Sequence, residues 1–242
     1  AEIDYLTSDT MWERLRDRPY VPQRLVVLGG GPIGCELAQS FARLGSEVTQ
    51  IQMAPRLMMR EDDDAARVVE ASMKADGVNV LTSHKAVACG SDAGEKWIEV
   101  EKDGTRFRIG FDEIIVAVGR APRLKGFGLE DLGIKVDRVV ETNEYLQTLH
   151  PNILAAGDVA GPYQFTHVAG HQAWFAAVNA LFGDLKRFKA DYSVIPWATF
   201  TDPEVARVGL SETEASEKKI PHEVTRFGLD DLDRAIADGA AR

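Results

Sequence analysis

The chain has few cysteines, no cluster of positive charge and no long apolar run, and each of these shortages excludes a class of protein. Two cysteines in 242 residues, Cys35 and Cys89, make no disulfide framework. The net charge of -10, with no Lys/Arg run, would repel a phosphate backbone and argues against nucleic acid as a partner. No apolar stretch approaches the roughly 18 residues of a membrane span. The opening AEIDYLTSDTMWERLRDRP lacks the charged-then-apolar layout of a signal peptide, so a cytoplasmic protein with no membrane partner is expected. Metal motifs are missing as well. His167 and His171 share a helical i, i+4 spacing, but no Glu or Cys joins them in the H-E-x-x-H manner, so they are read as satisfied histidines. Met58-Met59 and Asp62 to Asp64 are read as a loop and a solvated helix start. A Tyr-x-x-x-Lys pair, which a short-chain dehydrogenase needs to lower a tyrosine pKa, is absent. Tyr5, Tyr20, Tyr145, Tyr163 and Tyr192 are followed four positions on by Asp9, Arg24, Leu149, His167 and Pro196.

What is present is ordinary globular composition, 45% hydrophobic and 27% charged, enough for one large domain or two smaller ones. The stretch RLVVLGGGPIGCELAQSFARLGSEVTQIQ reads as a strand over residues 25–28, a glycine turn, a helix closed by Gly45, and a second strand over residues 47–51. Gly29, Gly31 and Gly34 fit G-x-G-x-x-G. The first allows the tight turn, the second lets backbone approach a pyrophosphate, and the third lets helix and sheet pack closely. The helix N-terminus at Pro32, Ile33 and Gly34 then meets the phosphates with free N–H groups and partial positive charge. Ile33, Leu37, Phe41 and Leu44 form the expected buried stripe.

Upstream, SDTMWERL reads as a short amphipathic turn capped by Ser8 or Asp9, closed by Pro19 and Pro22. Downstream, Asp62 to Asp64 suit a helix start, with Val68, Val69, Ala71 and Met73 on its buried side. Residues 78–81 make a strand, and KAVAC, KWIEVEK, TRFRIG and DEIIVAVG read as short strands between turns. Residues 24–119 are therefore β-α-β-α-β with a β-meander. From residue 120 the chain is loop-rich until THVAGHQAWFAAVNALFG, a helix apolar on most faces and so expected to be buried, with Trp174 and Phe175 in the core. From Asp191 a third style begins, strand-like and then helical at TEASEKK, with no obvious closing element.

The ordered motifs VVLGGGPIGCELAQSFARLGSEVT, IIVAVGRAP, NILAAGDVAG and VIPWATFTDPEVARVGLSE resemble the FAD-dependent pyridine nucleotide-disulfide oxidoreductases, a family that includes dihydrolipoamide dehydrogenase, glutathione reductase and mercuric reductase. PYQFTH with PWATFTDPEVARVGL looks closest to the mercuric-reductase-like branch. The resemblance covers essentially the whole chain. It implies an α/β protein: a Rossmann-like NAD(P)-binding domain with β-meander, part of an FAD-binding domain, and the start of an α+β dimerisation domain. Residues 1–22 would connect from the FAD domain, 23–120 bind NAD(P)H, 121–190 complete the FAD domain, and 191–242 begin the dimerisation domain. The family's other glycine motif, its C-x4-C pair and its C-terminal His-Glu are missing, so the chain is expected to be a central portion of such an enzyme, lacking both termini and inactive alone. No catalytic residue is assigned. The intact parent would be a homodimer passing hydride from NAD(P)H to FAD and electrons to a cysteine pair. The acceptor stays open among lipoamide, glutathione, Hg(II) and others, and the rival reading is a free-standing, non-catalytic dinucleotide-binding module.

The resemblance also carries residues. Glu36 matches a glutamate near the nicotinamide end, although a solvated or capping glutamate reads equally well there. Gly119 and Arg120 match the turn that closes over NAD(P)H. Gly157 and Asp158 match the Gly-Asp whose carboxylate takes the ribityl hydroxyl of FAD, and backbone N–H groups of His167, Val168 and Ala169 would face the flavin. Gln52 holds the position where an acidic residue would favour NADH. With Arg56 and Arg60 just beyond, able to meet a 2′-phosphate, the preference leans towards NADPH.

Overall fold

The computed structural model describes residues 3–239. They form two compact units, one running to Gly119 and resuming at Ala198, the other spanning Arg120–Trp197.

The first unit is built on a four-stranded parallel sheet of order β3-β2-β1-β7. Its strands are β1 (Arg24–Leu28), β2 (Glu47–Gln52), β3 (Asn79–Thr82) and β7 (Glu113–Val116). Helix α2 (Pro32–Arg43) joins β1 to β2 and α3 (Asp63–Ala75) joins β2 to β3. An antiparallel meander, β4 (Lys85–Asp92), β5 (Glu95–Lys102) and β6 (Thr105–Phe111), precedes β7. Side-chain alternation along β1 explains its unbroken apolar run. Leu25 and Val27 enter the core under the helices, while Val26 joins Ile51, Ile98, Val100, Phe111 and Ile114 under the meander. The N-terminal stretch is integral to this unit. Leu6 bridges Ile115 in parallel, Leu6 and Met11 are buried, and Arg18 pairs with the buried Glu113.

Several expectations about faces are corrected. On α2 the buried side is Gly34, Cys35, Ala38, Gln39 and Phe41, while Leu44 is 65% exposed. Phe41 is buried as expected and Leu37 packs against the core, but Gly34, Cys35 and Ala38 meet the sheet where helix and sheet approach closely, and Leu44 lies outside. On α3, Ala66, Val69 and Met73 are buried at i, i+3, i+7 spacing, and Val68 and Ala71 face outwards. The first helix, α1 (Met11–Arg16), has Thr10 rather than Ser8 or Asp9 at its N-cap position, and no side chain caps it. Thr10 Oγ1 accepts the Thr7 N–H at 3.0 Å.

The residues from Ala198 on are tied to α2 and α3 by polar contacts. Gln39 accepts the Asp202 N–H (2.8 Å) and donates to its carbonyl (2.9 Å). Asp62, at the N-cap of α3, leaves its own helix uncapped. Its carboxylate accepts instead from Glu212 N (2.9 Å), Thr213 N (3.1 Å) and Thr213 Oγ1 (2.7 Å) at the start of α5 (Glu212–Glu217). Ser211 and Glu214 complete a reciprocal capping box on α5. Strands β8 (Pro196–Thr199) and β9 (Val205–Val208) pair with each other, and the chain does have a late element, α6 (Asp233–Ala237).

In the second unit, α4 (Thr166–Phe182) was expected to be buried, but only Val168, Gln172 and Asn179 are. Trp174 is 54% exposed and meets Phe175 edge-on at 4.9 Å, so it is not a core residue, and Leu181 and Phe182 are exposed too. Amides hold the helix to its unit. Asn179 exchanges hydrogen bonds of 2.8 Å with the Phe188 backbone, and Gln172 reaches Gly161 O and Tyr192 Oη. Among the described residues, no helix is long and apolar enough to cross a membrane.

Candidate functional site

The glycine turn lies at the carboxyl ends of the parallel strands, where open α/β sheets hold their ligands. Each glycine there has its own physical reason. Gly29 has φ +119°, and a Cβ on it would lie 2.3 Å from Ala117 O at the end of β7. A Cβ on Gly34 would lie 2.2 Å from Gly29 O, so helix and strand touch backbone to backbone. At Gly31 nothing lies within 4 Å of a built Cβ. No protein atom demands glycine there, which leaves room for an incoming group. The peptide planes are pinned from behind: Gly29 N–H donates to Ile51 O (2.8 Å) and Met58 N–H to Gly30 O (2.7 Å). Gly30 N–H and Gly31 N–H donate to no acceptor among the described residues. Gly31 is the N-cap of α2 and brings no side-chain oxygen, Pro32 at N1 has no N–H to offer, and Ile33 N–H is free by the geometry of helix starts. A cluster of unpaired donors at the positive end of a 12-residue helix fits a pyrophosphate.

The loop after β2 separates the two arginines expected beside a 2′-phosphate. Arg56 is held inside the loop, its guanidinium donating to the carbonyls of Leu57 (3.2 Å), Met58 (2.7 Å), Met59 (3.4 Å) and Glu61 (2.8 Å). Gln52 Nε2 reaches Arg56 O at 3.3 Å. Arg60 is exposed at the loop surface, and among the described residues only its carbonyl is engaged, by Arg207 (3.0 Å). Glu36 accepts the backbone N–H of Phe200 at 2.9 Å. Gly119 is exposed at the end of the unit.

In the second unit, Arg120 lies 3.8 Å from the half-exposed carboxylate of Asp158 and donates to Gln164 O. Gly157 has φ +81°, and its N–H donates to Gln172 Oε1 at 2.6 Å. A Cβ there would come within 3.2 Å of Ala169 Cβ, so the Gly-Asp turn sits directly against the start of α4. Helix α4 has no side-chain cap, and Ala169 N–H closes its first turn onto Phe165 O (2.9 Å). His167 and Val168 therefore keep the available N–H groups. The rings of His167 and His171 are engaged with Pro196 O (2.7 Å) and Asp191 O (2.8 Å), and no group of three metal-ligating side chains occurs among the described residues.

Two glutamines escaped the sequence reading. Gln172 ties Gly157 to Gly161 from inside α4, and Gln50 lies fully buried beneath the glycine turn. The only signal for either was a polar residue interrupting an apolar strand or helix.

The pyridine nucleotide-disulphide oxidoreductase model matches residues 2–173, and that family's dimerisation domain matches residues 195–242. The mercuric reductase of Staphylococcus aureus is 38% identical over 239 residues, covering 98% of this chain and 43% of the relative. The dihydrolipoyl dehydrogenase of Thermus scotoductus is 37% identical, covering 97% of this chain and 51% of the relative. Among solved structures, LpdA from Mycobacterium tuberculosis superimposes with TM-score 0.84 at 26% identity, over 98% of this chain and 50% of that one. RclA from Escherichia coli, described as an HOCl-induced flavoprotein disulfide reductase, gives 0.82 at 26% identity, over 100% of this chain and 54% of that one. The chain thus spans about half, or less, of the length of these relatives. The α/β architecture, the order of the motifs and these matches agree: the chain belongs to the pyridine nucleotide-disulphide oxidoreductase family.

Proposed function

We propose that this chain carries the NAD(P)H-binding site, and part of the FAD site, of a flavoprotein disulfide oxidoreductase of the dihydrolipoamide dehydrogenase or mercuric reductase kind. The observation that carries this reading is the glycine turn, with Gly30 and Gly31 N–H unpaired and open space at Gly31. When bound, nicotinamide and flavin supply hydride and electron transfer towards a redox cysteine pair that Cys35 and Cys89, both free thiols, do not form. The chain's own residues bind and orient. The turn and the α2 N-terminus hold the pyrophosphate, Asp158 accepts a hydroxyl of the flavin's sugar chain, and the start of α4 offers His167 and Val168 N–H groups. Gly119 and Arg120 close over the dinucleotide. The match of residues 195–242 to the dimerisation domain supports a homodimeric parent, and free thiols suit a reducing, cytoplasmic setting.

Arg60 is the residue we assign to a 2′-phosphate, because Arg56 is held by backbone carbonyls and Gln52 brings no carboxylate to favour NADH. Calorimetric titration of the chain with NADPH and NADH tests both levels. NADPH is expected to bind more tightly, and Arg60→Ala to weaken NADPH by ~tenfold while leaving NADH unchanged, the loss of one charge-assisted contact. Tighter NADH binding discards the Arg60 assignment. Binding of neither nucleotide overturns the reading of the turn.

A further inference from the structure

Gln50 lies in β2 between Thr49 and Ile51, its side chain fully buried below the glycine turn. Its Nε2 donates to Gly29 O at 3.0 Å and lies 3.6 Å from Cys35 Sγ. Its Oε1 is buried and has no hydrogen-bond partner among the described residues. A residue needed only to fill this space would be apolar, like Val48 and Ile51 on the same strand, since an unpaired buried carbonyl disfavours the fold. The amide has two directed contacts that an apolar residue lacks, and the shorter, to a carbonyl oxygen, falls on the turn itself.

A trans peptide points its C=O and N–H in opposite directions. Drawing Gly29 O down onto Gln50 therefore turns Gly30 N–H away from the sheet interior. Met58 N–H does the same one residue later by holding Gly30 O, which turns Gly31 N–H outwards. The two unpaired donors are thus aimed by two clamps, one from backbone and one from a side chain.

We propose that Gln50 is a positioning residue for the dinucleotide, clamping the Gly29–Gly30 peptide so that its N–H meets the pyrophosphate without reorganisation. The proposal rests on the NAD(P)H reading above and deepens it. Fixing a donor before the ligand arrives removes an ordering cost from binding, so loss of the clamp appears in affinity for pyrophosphate ligands.

The test compares the chain with its Gln50→Met variant, which keeps length and volume but cannot donate. Three ligands are titrated: NADPH, ADP-ribose, and adenosine 2′-monophosphate, which has no pyrophosphate. Melting temperature reports the fold, and the {1H}-15N NOE of the Gly30 amide reports the peptide plane in the ligand-free protein. The expected result is a ~tenfold loss for NADPH and ADP-ribose, the effect of one hydrogen bond. Affinity for adenosine 2′-monophosphate stays unchanged, and the Gly30 NOE falls. Equal losses for all three ligands, or no loss for any, overturn the clamp, as does an unchanged Gly30 NOE. Failure of the unsubstituted chain to bind NADPH overturns the NAD(P)H reading instead, and the NOE then decides whether the clamp exists.

Discussion

Cys35 lies under the glycine turn with its Sγ near Gly30 O (3.6 Å), and burial pushes its thiol pKa up to about 12, although the Gln50 amide pulls the other way. Thiolate is the reactive form, so Cys35 is inert in the folded chain. Cys89 is exposed on the meander. A thiol reagent such as iodoacetamide is expected to label Cys89 alone in native protein and both after unfolding, with mass spectrometry of peptides as the readout. Labelling of native Cys35 would show that the turn opens on the reagent's time scale. Arg56 teaches the same lesson in a charged residue. Its sequence position suggests a phosphate ligand, yet its surroundings make it an internal support for the loop that presents Arg60.

Asp62 shows how one short element is held by another. Burial alone would raise its pKa, but hydrogen bonds from the Thr213 side chain, from Thr213 and Glu212 N–H and from Ser211 outweigh that and hold it below the usual carboxylate range. Asp112 is lowered as well, first by the Arg24 side chain. A carboxylate with a depressed folded pKa contributes stability above its unfolded value, about 3.9 for Asp, and loses it as pH falls through the folded value. The contact between α3 and α5 is therefore expected to hold at neutral pH and to release below roughly pH 4. Limited proteolysis with a glutamyl endopeptidase that is active from about pH 4 to neutral pH measures this through cleavage after Glu217. Asp62→Ala should show comparable cleavage already at neutral pH, with the β1–α2–β2 core still folded. Protection of that variant at neutral pH would mean the capping box of Ser211 and Glu214 suffices for α5.

At the scale of the molecule, the second unit presents apolar side chains to solvent in a short span: Trp174, Leu181, Phe182 and Leu185. Exposed apolar side chains close together along a helix and the turn after it favour association. Sedimentation velocity is expected to show concentration-dependent association of the chain, reduced in a Leu181→Lys, Leu185→Lys double variant whose circular dichroism is unchanged. Association that is indifferent to those substitutions would place the contact elsewhere.

Much of the first unit was legible in the sequence because its signals are local. Apolar runs mark strands that are buried on both faces, Gly29 and Gly34 mark positions where a Cβ would collide with backbone, Gly31 completes the spacing, and Gly45 marks a helix end. Faces were harder to read. Ala38 and Cys35 lie inside α2 while Leu44 lies outside, because the closeness of helix and sheet is a property of the assembled layers. The largest failure was α4: an apolar helix signals burial only if partners cover it, and in this unit buried amides hold it. Sequence alone determined the order of elements along the chain, the glycine spacing and the family resemblance. Only the tertiary structure decided that Arg56 turns back onto four carbonyls of its own loop, that Asp62 accepts from the start of a helix 150 residues on, and that Gln50 donates to Gly29 O, because each depends on how the chain folds back on itself.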